Sequence, residues 1–426
     1  MGGMERKIAM GWERVRKSIW MAIFMSIMAV ANVHADDYDF KSDGELPGNS
    51  YSTGVEIGDL NGDTFLDVFV SNDFGNPSTV WLNDGDGNFT LKDQDVDKPD
   101  DQGLGDSNST GVALGYLNDD DYLDAFVTNK DGQPNMVWLN KGDNSGTFLD
   151  GIALPGGSNS TGVALGDLNG DDFPDAFVTN RDGQPNEVWL NEGNGNFVLK
   201  DQNGDEPGTG LGNSNSMGVA LGYLNDDGYL DAFVVNTGTS ANKVWINKGD
   251  GSGTFTNDPL TDMGNSSSMG VALGYLNDDE YLDAFVVNIN FDTENPTDFN
   301  TVWLNDGSGH FTKNQELEAF ESTAVALANF DKDGNLDAFV TNLGLANTVW
   351  RGNGDGTFST SYQALGNSRS QDVALTDIND DGYMDAVVAN MFGANTLWRI
   401  DGPPSSGGGG GGGCFVTGLI PFPQGR

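Results

Sequence analysis

The chain has 426 residues, with 64 acidic side chains against 20 basic ones and a formal net charge of −44 at pH 7. A field of that sign repels phosphate backbones, which argues against nucleic acid as a partner and favours cations. Cys414 is the only cysteine in the sequence, so no intrachain disulfide can form, and stability has to come from packing, strand pairing and metal.

Residues 1–35 read as a signal peptide. Arg6, Lys7, Arg14, Arg16 and Lys17 precede an apolar run from Ile19 to Val33, and Val33-His-Ala35 places small residues before Asp36. The run is shorter than the roughly 20 apolar residues a membrane-spanning helix needs, so no span is expected in the mature chain. Residues 36–46 then carry Tyr38-Asp-Phe40 and read as an outer strand with no repeat of its own.

From Asp59 onward a nine-residue acidic loop recurs seven times, starting at Asp59, Tyr116, Asp167, Tyr223, Tyr275, Asn329 and Asp377. Spacings of this size mean a propeller, solenoid or array. Around each loop the grammar is constant: an alternating run such as Thr161-Gly-Val-Ala-Leu-Gly166, the loop, Asp175-Ala-Phe-Val-Thr-Asn180, then Glu187-Val-Trp-Leu-Asn191, a Gly-rich turn and Asn196-Phe-Val-Leu. That is four short strands per repeat, so residues 36–402 are expected to form an all-β, seven-bladed propeller of four-stranded blades. The seventh repeat leaves after Asn395-Thr-Leu-Trp398-Arg-Ile400 without its Gly-x-Phe strand. Residues 36–46 would supply it and close the ring.

The loop is seen in full at Asp377-Ile-Asn379-Asp-Asp381-Gly382-Tyr-Met-Asp385. Oxygen side chains fall at positions 1, 3, 5 and 9, the offsets by which EF-hand loops surround calcium, a hard cation wanting six to eight oxygens. A helix on each side and a Glu at position 12 are missing, so the loop joins two strands. Full sets stand at Asp59, Asn61, Asp63 and Asp67; Asp167, Asn169, Asp171 and Asp175; Asn329, Asp331, Asp333 and Asp337; and Asp377, Asn379, Asp381 and Asp385. The loops led by Tyr116, Tyr223 and Tyr275 keep only Asn118, Asp120 and Asp124; Asn225, Asp227 and Asp231; and Asn277, Asp279 and Asp283. They are expected to bind weakly or not at all. Asn, Asp and Gly also cap turns without metal, but three converging carboxylates would repel one another without a cation.

Pro403 opens a change of composition. Residues 403–426 run through Gly407 to Gly413 into Cys414-Phe-Val and read as a flexible tail. Poly-Gly followed by Cys-Phe resembles the tails by which some bacterial exported proteins are attached to the envelope, which would make Cys414 an attachment point.

At the loops and the Ala-Phe-Val strands that follow them, the chain resembles the FG-GAP (VCBS-type) repeat family, whose members include the calcium-binding propellers of integrin α chains. The resemblance implies Ca²⁺ at the ligand positions above, with backbone carbonyls near Phe65, Phe173, Asn335 and Tyr383. Ala-Leu-Gly and Val-Thr-Asn replace the Phe-Gly and Gly-Ala-Pro signatures, so integrin-type ligand recognition is not carried over. The expected function is that of a secreted or cell-surface, non-catalytic module for adhesion, whose partner is an extracellular protein or polysaccharide. A calcium-dependent polysaccharide lyase or hydrolase is the alternative, and a structural surface component a third. Against an enzyme, His310 is the one histidine beyond residue 35, it sits in a Gly-Ser-Gly-His-Phe turn, and no nucleophile motif appears. Recognition is expected on the face opposite the loops, where Asn288 to Asn300, with Phe291 and Phe299, is the longest connection of its kind.

Overall fold

In the computed structural model the alternating runs become strands, and there is no helix among the described residues. The structure describes residues 39–94, 103–202, 210–212, 215–238, 240–257, 263–264, 267–289, 299–318 and 321–400. Residues 1–35, expected as a signal peptide, the tail with Cys414, and Phe291 lie outside them.

The third repeat shows the unit. Strands Ser160–Gly166, Asp175–Asn180, Glu187–Asn191 and Phe197–Leu199 pair antiparallel in that order. All six residues of the second strand are buried, which is why Ala-Phe-Val reads as a continuous apolar run: a central strand covered on both faces has no polar side. Tryptophan on the third strand packs into the core between sheets, with Trp81, Trp189, Trp245, Trp303 and Trp350 all buried.

Five sheets have four strands and one has six. The six-stranded sheet arises because β1 (Phe40–Gly58) runs on without a break for 19 residues. Its second half pairs with β2 (Asp67–Asn72), which is followed by β3 (Thr79–Asn83) and β4 (Phe89–Lys92). Its first half, from Phe40 to Leu46, pairs antiparallel with Asn395–Ile400 at the end of the last strand, Asp385–Ile400. The chain termini of the fold therefore share one sheet.

Contacts between sheets repeat with the sequence. A phenylalanine on the fourth strand meets, edge to face, the second-strand phenylalanine of the repeat before it: Phe148 on Phe69 (5.7 Å), Phe197 on Phe126 (5.3 Å), Phe255 on Phe177 (5.5 Å), Phe311 on Phe233 and Phe358 on Phe285 (both 5.0 Å). Phe40 takes the same place on Phe339 of the sixth repeat (5.4 Å). Each such pair contributes about 0.5–1.5 kcal/mol beyond the area it buries. A second link is polar. The asparagine closing the third strand donates to the carbonyl of loop position 2 in the preceding repeat, as Asn140 does to Leu60 (2.8 Å) and Asn191 to Leu117 (3.0 Å). Asn83 of the first repeat donates likewise to Ile378 of the seventh (3.1 Å).

The first strands of successive repeats lie against one another, and β1 touches both Ser109–Gly115 and Arg369–Thr376. Glycine is needed there. A Cβ on Gly54 would stand 3.2 Å from Gly111 Cα and 2.8 Å from Ser71 Oγ, so the strands approach through bare backbone. In the seventh repeat the equivalent residue is Asp372, whose Oδ2 accepts the Val55 N–H (3.0 Å).

Candidate metal loops and the opposite face

In the first loop, Asp59 Oδ1 accepts the Gly62 N–H (2.7 Å) and Oδ2 the Thr64 N–H (2.9 Å). Asn61 Oδ1 accepts from Asp63 N (2.9 Å), its amide donates to Asp63 Oδ2 (2.8 Å), and Asp63 Oδ1 accepts from Phe65 N (2.9 Å). Positions 1, 3 and 5 are thus gathered by the backbone they sit on. Asp167 and Asp377 head their loops in the same way, accepting from Gly170 N (2.6 Å) and Asp172 N (3.0 Å), and from Asp381 N (3.0 Å) and Gly382 N (2.6 Å).

Backbone conformation separates the seven loops into two sets. Positions 4 and 6 are both left-handed in four of them: Gly62 and Thr64 (φ 76° and 74°), Gly170 and Asp172 (82° and 71°), Lys332 and Gly334 (60° and 101°), Asp380 and Gly382 (58° and 84°). In the tyrosine-headed loops Gly228 alone has positive φ at these positions. Holding an L-residue there costs about 1–2 kcal/mol, so Thr64, Asp172, Lys332 and Asp380 store strain in the four loops that carry full oxygen sets. Tyr116, Tyr223 and Tyr275 instead point outward, 46–57% exposed.

Position 9 behaves differently from the other three. Asp67, Asp124, Asp175, Asp231, Asp283, Asp337 and Asp385 are all fully buried. Each carboxylate accepts two backbone N–H groups, one from loop position 2 and one from the end of the third strand: for Asp175 these are Leu168 (3.0 Å) and Asn191 (2.8 Å). Burial pushes the carboxyl up to about 7 in most of them, against the pull of those bonds, and to about 6 in Asp283. In the first loop, the charges of Asp63 and Asp59 push Asp67 the same way. The position is a structural anchor in every repeat, the tyrosine-headed loops included. Among the described residues no group of three or more Asp, Glu, His or Cys side chains is gathered as a metal cage, because the ninth carboxylate turns to these amides. What the loops offer a cation is all oxygen, the donor chemistry of calcium. The Oδ1 of Asn329 is buried with no hydrogen-bond partner, a further acceptor aimed at nothing in the protein.

A carboxylate pair lies outside the loops. Glu56 and Asp372 sit on neighbouring first strands; burial, then the Asp372 charge, holds Glu56 well above the usual carboxylate range, and burial pushes Asp372 up to about 6. The folded chain therefore binds protons more tightly than the unfolded one, and stability falls as pH rises from about 4 through about 6. Asp372→Asn keeps an oxygen for Val55 N–H, and is expected to stabilise the fold by about 1–2 kcal/mol at pH 8 and by almost nothing at pH 4. Urea midpoints at the two pH values check it.

At the other end of the strands, Asn72 Nδ2 donates to Pro77 O (2.8 Å), Asn129 to Pro134 O (2.6 Å) and Asn180 to Pro185 O (2.7 Å), so the Val-Thr-Asn ending clasps the connection between second and third strands. Phe74 and Phe392 lie in two such connections, 59% and 55% exposed, both at positive φ (58° and 66°). They pack on Tyr51 at 5.0 and 5.1 Å; Lys130 Nζ stands 5.4 Å from the Phe74 ring, and the Arg369 guanidinium 5.3 Å from that of Phe392. Lys130 also pairs with Asp73. Sequence reading had placed recognition on this face through Phe291 and Phe299 and missed these two rings. Their signal was departure from the repeat, since Phe74 stands where the next two repeats have Asp131 and Asp182. His310 lies in a turn, 2.9 Å from Ser308 Oγ and 3.6 Å from Asp306. Among the described residues, the concavities beside Trp245 and Trp303 are lined by no acid and no histidine.

The family model for the FG-GAP-like repeat matches residues 116–178, 167–234, 223–286 and 329–388, more than half of the chain, and three of the four windows begin on a tyrosine- or aspartate-headed loop at Tyr116, Asp167 and Tyr223. The chain belongs to the FG-GAP-like repeat family. No curated protein matches it. Among solved structures this FG-GAP-like repeat protein is similar to BBS1N in complex with ARL6DN (11% identity, covering 87% of this chain and 97% of that one, TM-score 0.56). It is also similar to virginiamycin B lyase from Staphylococcus aureus (13% identity, 86% and 100% covered, TM-score 0.55). An Agrocybe aegerita lectin recognising non-reducing terminal N-acetylglucosamine is a third (17% identity, 81% and 86% covered, TM-score 0.51). At these identities the likeness is one of fold: repeated four-stranded sheets of the β-propeller kind.

Proposed function

We propose that the chain is an exported, seven-bladed, calcium-binding propeller that acts as a non-catalytic binding module. The observation that carries the calcium reading is the coincidence of two independent features. The loops with oxygen at positions 1, 3, 5 and 9 are the ones whose positions 4 and 6 are both left-handed, one of the two being a strained non-glycine residue, and strain of this kind persists where a site requires it. Asp59, Asn61 and Asp63, with the corresponding residues from Asp167 and Asp377, would hold the ion, and Asp67 and its counterparts anchor the loop through backbone amides. Bound calcium supplies positive charge that offsets the crowded carboxylates. Closure of the ring into seven blades is supported by the pairing of β1 with Asn395–Ile400, by Phe40 on Phe339, and by the bond from Asn83 to Ile378.

Binding is assigned to the face opposite the loops. Phe74, Phe392 and Tyr51 form an exposed aromatic group with Arg369 beside it, rare positive charge on a chain of net charge −44. Aromatic rings with a cation suit a saccharide bearing acidic groups, and a sugar-recognising lectin is among the fold neighbours. Export rests on the leader pattern of residues 1–35.

The test has two readings. Thermal unfolding of residues 36–426 in millimolar calcium against chelator is expected to differ by on the order of 10 °C, since each site filled to 100 times its Kd adds about 2.7 kcal/mol. An unchanged midpoint removes calcium from the proposal. A glycan and protein array probed with the wild type and with a Phe74→Ala, Phe392→Ala double variant should show ligands that only the wild type retains. Equal binding by both moves recognition elsewhere.

A further inference from the structure

Among the described residues, the sixth acidic loop is the one whose carboxylates pair with a basic side chain. It holds a full oxygen set, yet Arg351 Nη2 stands 2.6 Å from Asp331 Oδ2 and 3.3 Å from Asp333 Oδ2. We infer that Arg351 is the built-in cation of the sixth loop, standing where the other full loops would take a metal ion and keeping this loop metal-free. The inference rests on the calcium reading of the loops for what Arg351 displaces, but not for what Arg351 does.

Three observations carry it. The first is position. Arg351 is the third-strand residue after the tryptophan, which is Leu82, Leu139, Leu190, Ile246 and Leu304 in the first five repeats. An apolar side chain there cannot neutralise a loop; a guanidinium can, and here its Nη2 alone stands within ion-pair distance of two carboxylates.

The second is burial. The Asp331 side chain is 3% exposed, so its charge is largely out of water and has to be met by another charge inside the protein. Arg351, 38% exposed, supplies that charge from the rim of the loop. The third comes from the seventh repeat, which also has arginine at this place. Arg399 turns away, its Nε 2.7 Å from Asp43 and its Nη2 donating to Gly87 O (2.8 Å). Arginine on the strand therefore does not by itself fill the loop. The two arginines have been given different partners, and the seventh loop keeps Asp377, Asn379 and Asp381 clear of a guanidinium.

The sixth loop retains what a metal would need once Arg351 is gone. Lys332 and Gly334 hold the left-handed pair seen in the other full loops, and Asn329 Oδ1 is a buried acceptor without a partner. Replacing Arg351 by leucine, the residue of four other repeats, should convert the loop from self-neutralised to calcium-binding.

Two measurements on residues 36–426 test this. In chelator, Arg351→Leu is expected to lower the unfolding midpoint by roughly 2–4 °C, and adding Asp331→Asn to recover at least half of the loss by removing the stranded charge. A midpoint equal to wild type overturns the inference, whatever calcium does. Equilibrium dialysis against calcium is expected to give one more bound ion per chain for Arg351→Leu than for wild type. An equal, nonzero number for both overturns it as well. If neither protein binds any calcium, the calcium reading of the loops fails, and Arg351 is then judged on the chelator midpoints alone.

Discussion

Asp175→Ala is expected to destabilise the chain by about 3–5 kcal/mol, because it strands two buried donors, the N–H groups of Leu168 and Asn191, at about 1–3 kcal/mol each, with more for bonds to a charged acceptor. Relief of the buried charge works against this. Burial holds that carboxyl near 7, so at neutral pH part of the population is already protonated and the relief is smaller than the loss. The same loss is expected for Asp124→Ala in chelator, since Asp124 accepts from Leu117 (3.0 Å) and Asn140 (2.7 Å) in a loop headed by tyrosine. In calcium the two should part, Asp175→Ala losing the metal contribution in addition. Urea unfolding of both variants in both conditions checks the prediction, and a loss below about 1 kcal/mol for Asp175→Ala would mean that the anchor role is wrong.

Deleting residues 36–47 is expected to be worse still. It removes Phe40 from between Phe330 and Phe339, at 5.1 and 5.4 Å, and takes out Leu46, so two fully buried side chains worth about 1.5–3 kcal/mol each are lost. It also bares the edge of Asn395–Ile400, whose unpaired N–H and C=O groups are a template for another chain. Aggregation during gel filtration and a midpoint lower by on the order of 10 °C are expected. Truncation after Asp401 should leave both measurements unchanged, because every described pairing with residues 40–46 is made by Asn395–Ile400. A monomeric deletion with a wild-type midpoint would show that the pairing is dispensable.

Much of this was legible in the chain because repeats make their own alignment. Seven copies of one pattern reveal which residues are constant, and constancy at Trp, Phe and the ninth Asp turned out to mark burial. The division of the loops by their first residue also reappears in the backbone, where Tyr116, Tyr223 and Tyr275 lack the left-handed pair. Three things were not legible. The merging of first and last repeats into six strands depends on β1 continuing through Leu46 to Tyr51, beyond the outer strand expected over residues 36–46. The role of Asp67 and its six counterparts as acceptors for the third strand needed the register, since Asn83 lies 16 residues away. Arg351 was visible as a departure from leucine, but Arg399 departs identically, and only their partners tell them apart.

The pairing of Phe40–Leu46 with Asn395–Ile400 sets a timetable for the chain's making. The strand that is synthesised first has as its partner the strand synthesised last, and at about 5–20 residues per second the interval is roughly 20–70 s. Through that time Phe40 and Leu46 have no groove to enter, and neighbouring sheets can form without them. Contacts this distant in sequence also form slowly once they become available. A chain carried across a membrane while unfolded does not complete this pairing on the near side, because its last strand has not yet followed. For a chain exported as proposed, pairing this late would leave the leading segment unpaired during transport.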